Sequence, residues 1–309
     1  MTQLPKDAMR KILSSILGGW LSLRAPLLAS TGLQIVDATV EAFFVLVDKM
    51  LPTPTRPHYT FNLRDISKVF QGVLMVKNPK YVKTKEDFTR LWIHEVSRVF
   101  HDRLINDDDK GWFKDAVIQC LADNFKIQQT REAIFDEQPI IFAHYMTADK
   151  ETYKEVTDFA KLKTLMSDFN DEMNLNNAGK QQVNLVFFRD CLEHISRIAR
   201  LLKQPRGNLM LVGVGGSGRQ SCCALATSVF EMQATSIALT KGYGKIQFQE
   251  DERRILVTAG GPKAGHTVFT FLDTQIIQEG FLEDVNNILN SGEVPNLFPK
   301  EDRTALMGE

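Results

Sequence analysis

The sequence predicts an α/β protein in which an all-α region precedes a domain built on a parallel sheet. Three observations predict this fold class. Apolar residues recur three and four positions apart through roughly the first 135 residues. From residue 208 onward, short apolar runs alternate with helical patterns, which is typical of parallel strands joined by helices. A glycine-rich stretch, GVGGSGRQS, follows the first of these runs.

Composition places the chain among ordinary globular proteins. Of its 309 residues, 43% are apolar and 24% are charged, which is enough for two domains with cores of their own. The formal net charge is −1, so no overall attraction to nucleic acid is expected. The four cysteines form no C-x-x-C pair, which favours a reduced, intracellular chain. The adjacent Cys222 and Cys223 are expected to be buried thiols rather than a strained disulfide.

The N-terminus has the order of a secretory signal, because basic residues precede the apolar run ILSSILGGWLSL. Asp7 interrupts the basic region, no small-residue cleavage site follows, and the run is too short to cross a bilayer. The stretch is therefore predicted to be an amphipathic helix of a globular domain, and no membrane partner is expected.

Residues 1–135 are predicted to be helical. Residues 31–51 carry an apolar stripe at helical spacing, and the proline-rich residues 52–57 end it. FNLRDISKVFQGVLM and LWIHEVSRVFHDRLI repeat this spacing, with polar breaks between them. The region is interpreted as an all-α domain.

Residues 136–309 are predicted to contain the sheet. Residues 179–203 are interpreted as one long helix with Phe187 and Phe188 on its apolar face, ended by Pro-Arg-Gly at 205–207. The runs that follow alternate between strand and helix: NLMLVG, CCALATSVF, TSIALT, QEDERRILVTAG, HTVFTFLD and GFLEDVNNILNSG. This alternation predicts a parallel sheet covered by helices.

The glycine-rich stretch has the spacing of a phosphate-binding loop. In such a loop a strand ends in Gly-x-x-x-x-Gly, backbone N–H groups surround the phosphates, and the next helix points its positive end at them. Gly213 and Gly218 stand at this spacing between an apolar run and a predicted helix. The candidate nucleotide-binding residues are Gly213, Val214, Gly215, Gly216, Ser217, Gly218, Arg219, Gln220 and Ser221.

The two positions after the last glycine depart from the usual Lys followed by Ser or Thr. Arg219 keeps the positive charge, although its planar guanidinium reaches phosphate oxygens differently from an ammonium group. Gln220 replaces the hydroxyl that usually binds magnesium, and Ser221 lies about 100° further round the helix. Phosphate binding is expected to survive these changes, whereas Ser221 is only a weak candidate magnesium ligand.

Two other interpretations of the loop stay open. It could be a strand-to-helix turn without a ligand, or a dinucleotide fingerprint, since Gly213, Gly215 and Gly218 also fit G-x-G-x-x-G. The fingerprint requires an acidic residue at the end of the second strand. Thr240 and Lys241 stand there instead.

The second half of a nucleoside-triphosphatase site is an apolar strand that ends in Asp, usually followed by Glu. VFTFLD supplies the strand and Asp273, the candidate residue that holds Mg²⁺ through water. The next residue is Thr274, whose hydroxyl is a poor general base near neutral pH. No catalytic residue is therefore assigned, and hydrolysis is expected to be weak. Alternatively, Asp273 only ends a core strand.

Three further patterns fail a chemical requirement. HEVSR has Arg98 where a zinc-protease helix needs its second His. NDDDKG has Lys110 and Val117 where a calcium loop needs oxygen ligands. His194 has no nucleophile at a suitable turn to activate.

With these motifs together, the chain resembles dynein heavy chains of the axonemal type, whose motor is a ring of AAA-plus modules. GVGGSGRQS, FLDTQI and FLEDVNNILNSGEVPNLF resemble the phosphate loop, the Walker B strand and the following segment of the fourth module. HYTFNLRDISKVFQG and HEVSRVFHDRLI resemble the small helical domain of the third module. The similarity covers nearly the whole chain, and ALATSVFEMQATSIALTKGYG departs from it most.

The resemblance implies a division at residue 135. Residues 1–135 would be the end of the third module with its helical lid. Residues 136–309 would be the N-terminal part of the fourth module, an incomplete P-loop NTPase (AAA-plus) α/β domain that lacks a sensor-1 strand. Arg64 would stand where the sensor-2 arginine of the third module faces a nucleotide; a surface or ion-paired arginine is the alternative.

The resemblance also implies function. The chain would be part of an ATP-driven, minus-end-directed microtubule motor for ciliary or flagellar movement, located in the cytoplasm, cytoskeleton and axoneme. This segment would bind ATP or ADP with Mg²⁺ as a regulatory module. Its partners would be the rest of the ring, intermediate and light chains, and microtubules through parts outside these residues.

Two hypotheses of different classes stay open beside each other. In one, the segment binds nucleotide with little hydrolysis. In the other, it is a structural spacer of the ring whose glycine loop stays empty. A third possibility, an independent small ATPase, requires phosphate release that depends on Asp273.

Overall fold

The computed structural model describes residues 4–137, 139–176, 182–261 and 265–308. The chain divides into two compact units, Met1–Leu162 and Lys163–Glu309. A boundary between compact units is a different property from a boundary between modules. The predicted module boundary between residues 135 and 136 therefore stays a prediction.

The first unit is built from helices. Its α-helices are α1 (Lys6–Arg24), α2 (Ala29–Lys49), α3 (Leu63–Val73), α4 (Lys85–Val99) and α5 (Asp107–Cys120). Short 3-10 turns lie at Pro26–Leu28, Pro79–Tyr81 and His101–Arg103, and π turns lie at Leu121–Phe125 and Glu132–Asp136. Within residues 4–134, β pairing is limited to one bridge between Thr53 and Arg56. The predicted all-α character of this region is confirmed.

Two of these helices begin at reciprocal side-chain caps. The Asn62 side chain accepts the N–H of Arg64 at 2.9 Å, and the Asp65 carboxylate accepts the N–H of Asn62 at 3.0 Å, which starts α3. Thr84 and Asp87 form the same arrangement at the start of α4, at 3.1 and 3.0 Å. Such pairs satisfy backbone N–H groups that a helix leaves without an internal partner.

Helix α2 lies in the hydrophobic core of the first unit. Among the described residues, Pro26–Lys49 is the one helical stretch long and apolar enough to cross a membrane, and 56% of its most apolar window is buried inside the protein. The indole N–H of Trp92 donates to the hydroxyl of Thr39 on α2 at 2.9 Å. The centroids of the Trp92 and Phe125 rings lie 5.4 Å apart. These contacts make α2 a core helix.

A short antiparallel hairpin packs on α4. Its strands are β1 (Phe142–Ala143) and β2 (Lys154–Glu155). The guanidinium of Arg90 donates to both carboxylate oxygens of Glu155, with Nε at 2.9 and 3.2 Å. The hydroxyl of buried Tyr153 donates to buried Glu95 at 2.6 Å. The hairpin is therefore part of the first unit.

The second unit carries the parallel sheet. After α6 (Phe159–Asn176), which spans the division between the units, come α7 (Arg189–Leu202), α8 (Arg219–Val229), β3 (Gln233–Ser236), α9 (Lys245–Gly260), β4 (Thr267–Thr270), α10 (Glu279–Ser291) and α11 (Lys300–Gly308). Strands β3 and β4 pair in parallel, from Gln233 opposite Thr267 to Ser236 opposite Thr270. A parallel pair needs a crossover, and α9 provides it. The predicted α/β class is confirmed.

The predicted helix over residues 179–203 is shorter than expected. Residues 179–181 lie outside the described residues, and residues 182–188 are not helical. The side chain of Asn174 explains the difference: it accepts the N–H of Val183 at 2.9 Å and donates to the carbonyl of Val183 at 3.0 Å. This pair of bonds holds the chain extended, and α7 begins only after Phe188.

The apolar run NLMLVG is not a strand of the sheet. Residues 208–213 form no ladder with another described residue, and Met210 and Val212 are 87% and 81% exposed. A run becomes a strand only when a neighbouring strand supplies hydrogen bonds. In the described residues the sheet consists of β3 and β4, and neither pairs with this run.

Candidate nucleotide-binding site

The glycine-rich loop joins α7 to α8, and a tight turn leads into it. A Cβ atom on Gly207 would lie 1.9 Å from the backbone oxygen of Leu201, so only glycine fits where the chain leaves α7. The chain then runs exposed to the loop, where Val214 is 79% exposed. The loop is thus open to solvent.

Two glycines of the loop adopt left-handed backbone conformations. The φ angle is +79° at Gly216 and +78° at Gly218, in a region that residues with a side chain rarely adopt. Gly218 is also the N-cap of α8. Gly215 has open space around it and no such φ angle. The shape of the loop therefore depends on glycine at positions 216 and 218.

Hydrogen bonds within the loop close it on itself. The backbone N–H of Ser217 donates to the carbonyl of Val214 at 3.3 Å, and the guanidinium of Arg219 donates to the same carbonyl at 3.3 Å. The hydroxyl of Ser217 also lies 3.0 Å from where a Cβ of Gly213 would be. Arg219 thus lies beside the loop with its charge next to the loop backbone.

Helix α8 begins without a cap from a side chain. Among the described residues, no side chain accepts a hydrogen bond from its first turn, and that turn contains no acidic residue. Cys222 makes the first helical bond, from its N–H to the carbonyl of Gly218 at 2.9 Å. The N–H groups of Arg219, Gln220 and Ser221 precede it and point toward the helix N-terminus. Unpaired N–H groups and the helix dipole together favour an anion there.

The side chains of Gln220 and Ser221 differ in exposure. Gln220 is exposed, whereas Ser221 is half-buried in the first turn of α8. A half-buried hydroxyl one residue beyond the usual position is a poorer metal ligand than an exposed one facing the loop. Ser221 therefore stays a prediction, as the weaker of the two candidate magnesium residues.

Asp273 begins a 3-10 turn after β4. Its carboxylate accepts the N–H of Thr274 at 3.0 Å, and both residues are exposed. Buried Gln275 anchors the turn, because its amide donates to the carbonyl of Ile237 at 2.8 Å and accepts the N–H of Leu272 at 2.8 Å. The turn that carries Asp273 is thereby tied to the end of β3.

Helix α8 contacts the carboxyl end of β4. Cys223, in α8, shares a hydrogen bond with Thr270, the last residue of β4. The loop ends at Gly218, just before Cys223, and Asp273 follows Thr270 closely. Both therefore lie within a few residues of this contact at the carboxyl end of β4. Nothing in the spacing of the sequence indicates the contact of Cys223.

Other predicted residues lie elsewhere. Arg64 is exposed on α3 in the first unit, and its role as a sensor stays a prediction. Among the described residues, no group of three or more His, Cys, Asp or Glu side chains is arranged to hold a metal ion. Mg²⁺ at Asp273 would therefore depend on water and phosphate oxygens for most of its ligands, as is usual for this ion.

Comparison with known proteins identifies the chain. Residues 35–134 match the AAA+ lid domain family, and residues 183–309 match the P-loop containing dynein motor region D4. Dynein axonemal heavy chain 6 of Homo sapiens is 43% identical over 301 residues, 96% of this chain. Dynein axonemal heavy chain 1 of Rattus norvegicus is 38% identical over 319 residues, 99% of this chain. The chain belongs to the axonemal dynein heavy-chain family.

This dynein heavy-chain segment spans 7% of the length of each of these two relatives. Dynein axonemal heavy chain 2 of Homo sapiens gives a similar result, with 44% identity over 271 residues, 88% of this chain and 6% of that protein. The fold class is confirmed: a helical lid precedes an incomplete P-loop domain. P-loop modules of dynein use nucleotide and Mg²⁺ in general. The roles of the individual loop residues and of Asp273 remain predictions.

Proposed function

We propose that residues 213–221 of this dynein heavy-chain segment bind the phosphates of ATP or ADP as a regulatory ligand. The observation that carries the proposal is the uncapped N-terminus of α8, preceded by two left-handed glycines. A polyphosphate there would accept hydrogen bonds from the first-turn N–H groups. The helix dipole and the charge of Arg219 would both stabilise it.

Asp273 is the proposed Mg²⁺ residue, acting through water, with Ser221 as a weaker candidate. Mg²⁺ in nucleotide sites keeps several waters and takes one or two carboxylates with phosphate oxygens. An exposed carboxylate at the same edge as the loop suits that role. Thr274 offers no carboxylate to position an attacking water, so we expect binding with little hydrolysis.

Within the whole heavy chain, the segment would act in an ATP-driven, minus-end-directed microtubule motor of the ciliary or flagellar axoneme. Nucleotide at the loop would bias how neighbouring modules of the ring pack, which is a coupling between two binding sites. The proposed partners are the rest of the ring, intermediate and light chains, and the microtubule through other parts of the heavy chain. Neither nucleic acid nor membrane is a proposed partner.

Titration of the 309-residue chain with a fluorescent ATP analogue and Mg²⁺ tests the proposal. Arg219→Ala removes the charge beside the loop and is expected to weaken binding about tenfold, or about 1.4 kcal/mol. Arg303→Ala removes an arginine that is 69% exposed on α11 and serves as the matched control, with unchanged affinity expected. Equal affinity of the Arg219→Ala and unaltered chains would reject the loop as the site.

A structural spacer is the second candidate, because the bond from Arg219 to Val214 closes the loop without a ligand. The melting temperature separates the two. A ligand that binds only the folded state at about 100 times its Kd adds about 2.7 kcal/mol of stability. A higher melting temperature with Mg-ATP supports the nucleotide module, and an unchanged one supports the spacer. Phosphate release that disappears in Asp273→Ala would instead indicate an independent ATPase.

A further inference from the structure

Two cysteines of the second unit lie on helices that pack against each other. Cys191 is in the first turn of α7 and Cys222 is in the first turn of α8. The two helices pack against each other, and each cysteine is 8% exposed. Their thiols are hydrogen-bonded to one another. Both are free thiols in this structure.

The shared hydrogen bond couples the titration of the two thiols. The bond from Cys222 lowers the pKa of the Cys191 thiol, against the effect of burial. The same bond, together with burial, raises the pKa of the Cys222 thiol. Because the thiolate is the reactive form and a neighbouring thiol can stabilise it, one sulfur of this pair can react first and the other can follow.

We propose that Cys191 and Cys222 form a redox site that closes reversibly into an intrachain disulfide when the chain meets a peroxide. The thiolate of one cysteine attacks one peroxide oxygen, the O–O bond breaks, and the products are a sulfenic acid and, after protonation, water. The thiol of the other cysteine then attacks the sulfenic sulfur, the S–S bond forms, the S–O bond breaks, and a second water leaves. Two thiols are oxidised and one peroxide is reduced.

The other two cysteines are poorer partners. Burial raises the pKa of Cys223, and its thiol is already engaged with Thr270 and Thr227. It also points about 100° away from Cys222 around the helix. Cys120 belongs to the first unit, and burial raises the pKa of its thiol to about 12. The pair Cys191 and Cys222 is therefore the one that oxidation should select.

Formation of the disulfide would constrain α8, the helix that follows the glycine loop. The N–H of Cys222 bonds to the carbonyl of Gly218, and the sulfur of Cys222 lies 4.0 Å from where a Gly218 Cβ would be. A disulfide to Cys191 would tie this first turn of α8 to α7. The inference does not depend on whether the loop binds nucleotide.

The test treats the folded 309-residue chain with hydrogen peroxide, blocks remaining thiols with N-ethylmaleimide, and maps tryptic peptides by mass spectrometry. We expect a peptide containing Cys191 joined to the peptide containing Cys222, separated again by reductant. Fragmentation of the linked peptide shows whether Cys222 or Cys223 is bonded to Cys191. This assignment uses the unaltered chain, so it does not depend on the folding of a variant. A chain in which Cys191 is oxidised to sulfinic acid without a link would overturn the proposal.

Serine variants provide the matched comparison. Cys191→Ser and Cys222→Ser are expected to lose the link, whereas Cys223→Ser, at the neighbouring position of the same helix, is expected to keep it. A link that persists in Cys222→Ser and disappears in Cys223→Ser would assign the bond to the wrong sulfur and refute the pair.

Discussion

The buried carboxyl group of Asp284 on α10 contributes to raising the pKa of the buried carboxyl group of Glu252 on α9, in the second unit. Glu252 is 2% exposed and Asp284 is 4% exposed. Among the described residues, neither carboxylate oxygen of Glu252 has a hydrogen-bond partner. Burial, followed by the charge of Asp284, raises the pKa of Glu252 to about 7, while Lys245 opposes the rise. Glu252 therefore holds its proton in mildly acidic solution.

This proton should make stability fall as pH rises. Below the unfolded pKa of 4.5, Glu252 is protonated in both states, and its full contribution to stability is present. Between that value and a folded pKa of about 7, only the folded state keeps the proton, so stability is lost as pH rises through this window. The loss is roughly 3 kcal/mol.

Glu252→Gln should remove this pH dependence, because the amide is neutral at every pH. Urea unfolding measured on both sides of the window would show a higher free energy of unfolding for the variant at the alkaline side. Glu250→Gln, at an exposed position of the same helix, is the control and should keep the pH dependence of the unaltered chain. An undiminished pH dependence in Glu252→Gln would show that another group is responsible.

Gly218→Ala should destabilise the second unit and Gly215→Ala should not. Alanine at position 218 must adopt a φ angle of +78°, which costs roughly 1–2 kcal/mol. At position 215 a Cβ meets nothing within 4 Å, and the backbone is not left-handed. Thermal or urea unfolding of the two variants measures the difference. Equal stability of the pair would mean that the left-handed turn does not hold in solution.

Gln275→Ala should loosen the turn that carries Asp273. The variant leaves the carbonyl of Ile237 and the N–H of Leu272 without their side-chain partner, at a cost of roughly 2–3 kcal/mol. Gln278→Ala, three positions later and exposed, should stay within about 0.5 kcal/mol of the unaltered chain. Urea unfolding compares the two, and similar losses in both would count against the anchoring role of Gln275.

Tyr153→Phe should weaken the attachment of the hairpin to α4. It removes the 2.6 Å bond from a buried hydroxyl to buried Glu95, and we expect a loss of about 1–2 kcal/mol in the free energy of unfolding. Tyr81→Phe, at a half-buried tyrosine in the same unit, is the control and should change stability by less than about 0.5 kcal/mol. A Tyr153→Phe protein as stable as the control would contradict the expected role of the bond.

Amphipathic helices were the most predictable part of the fold. The pattern over residues 31–51 corresponds to α2 (Ala29–Lys49), and GFLEDVNNILNSG corresponds to α10 (Glu279–Ser291). A helix makes its hydrogen bonds within one segment, so a local pattern is enough to locate it. The position of the loop was predictable for the same reason, because its glycine spacing is a local pattern, whereas the left-handed φ angles at Gly216 and Gly218 come from the structure.

Pairings between distant segments were less predictable. NLMLVG has a strand composition, but a strand needs a partner that composition does not specify. Residues 182–188 have helical spacing, yet Asn174 holds Val183 extended. The contact of Cys223 with Thr270 likewise depends on how α8 meets the sheet. Sequence reasoning could therefore name both halves of the candidate site but not the contact between α8 and β4 that lies near them.

Residues 208–213 also affect how the isolated segment behaves in solution. Among the described residues, their backbone N–H and C=O groups pair with no strand. The side chains of Met210 and Val212 in this stretch are exposed. An apolar stretch with open backbone groups is a template on which another chain can add a strand. Purified at high concentration, the segment would tend to aggregate through this stretch. Val212→Lys would place a charge in the stretch and oppose this aggregation.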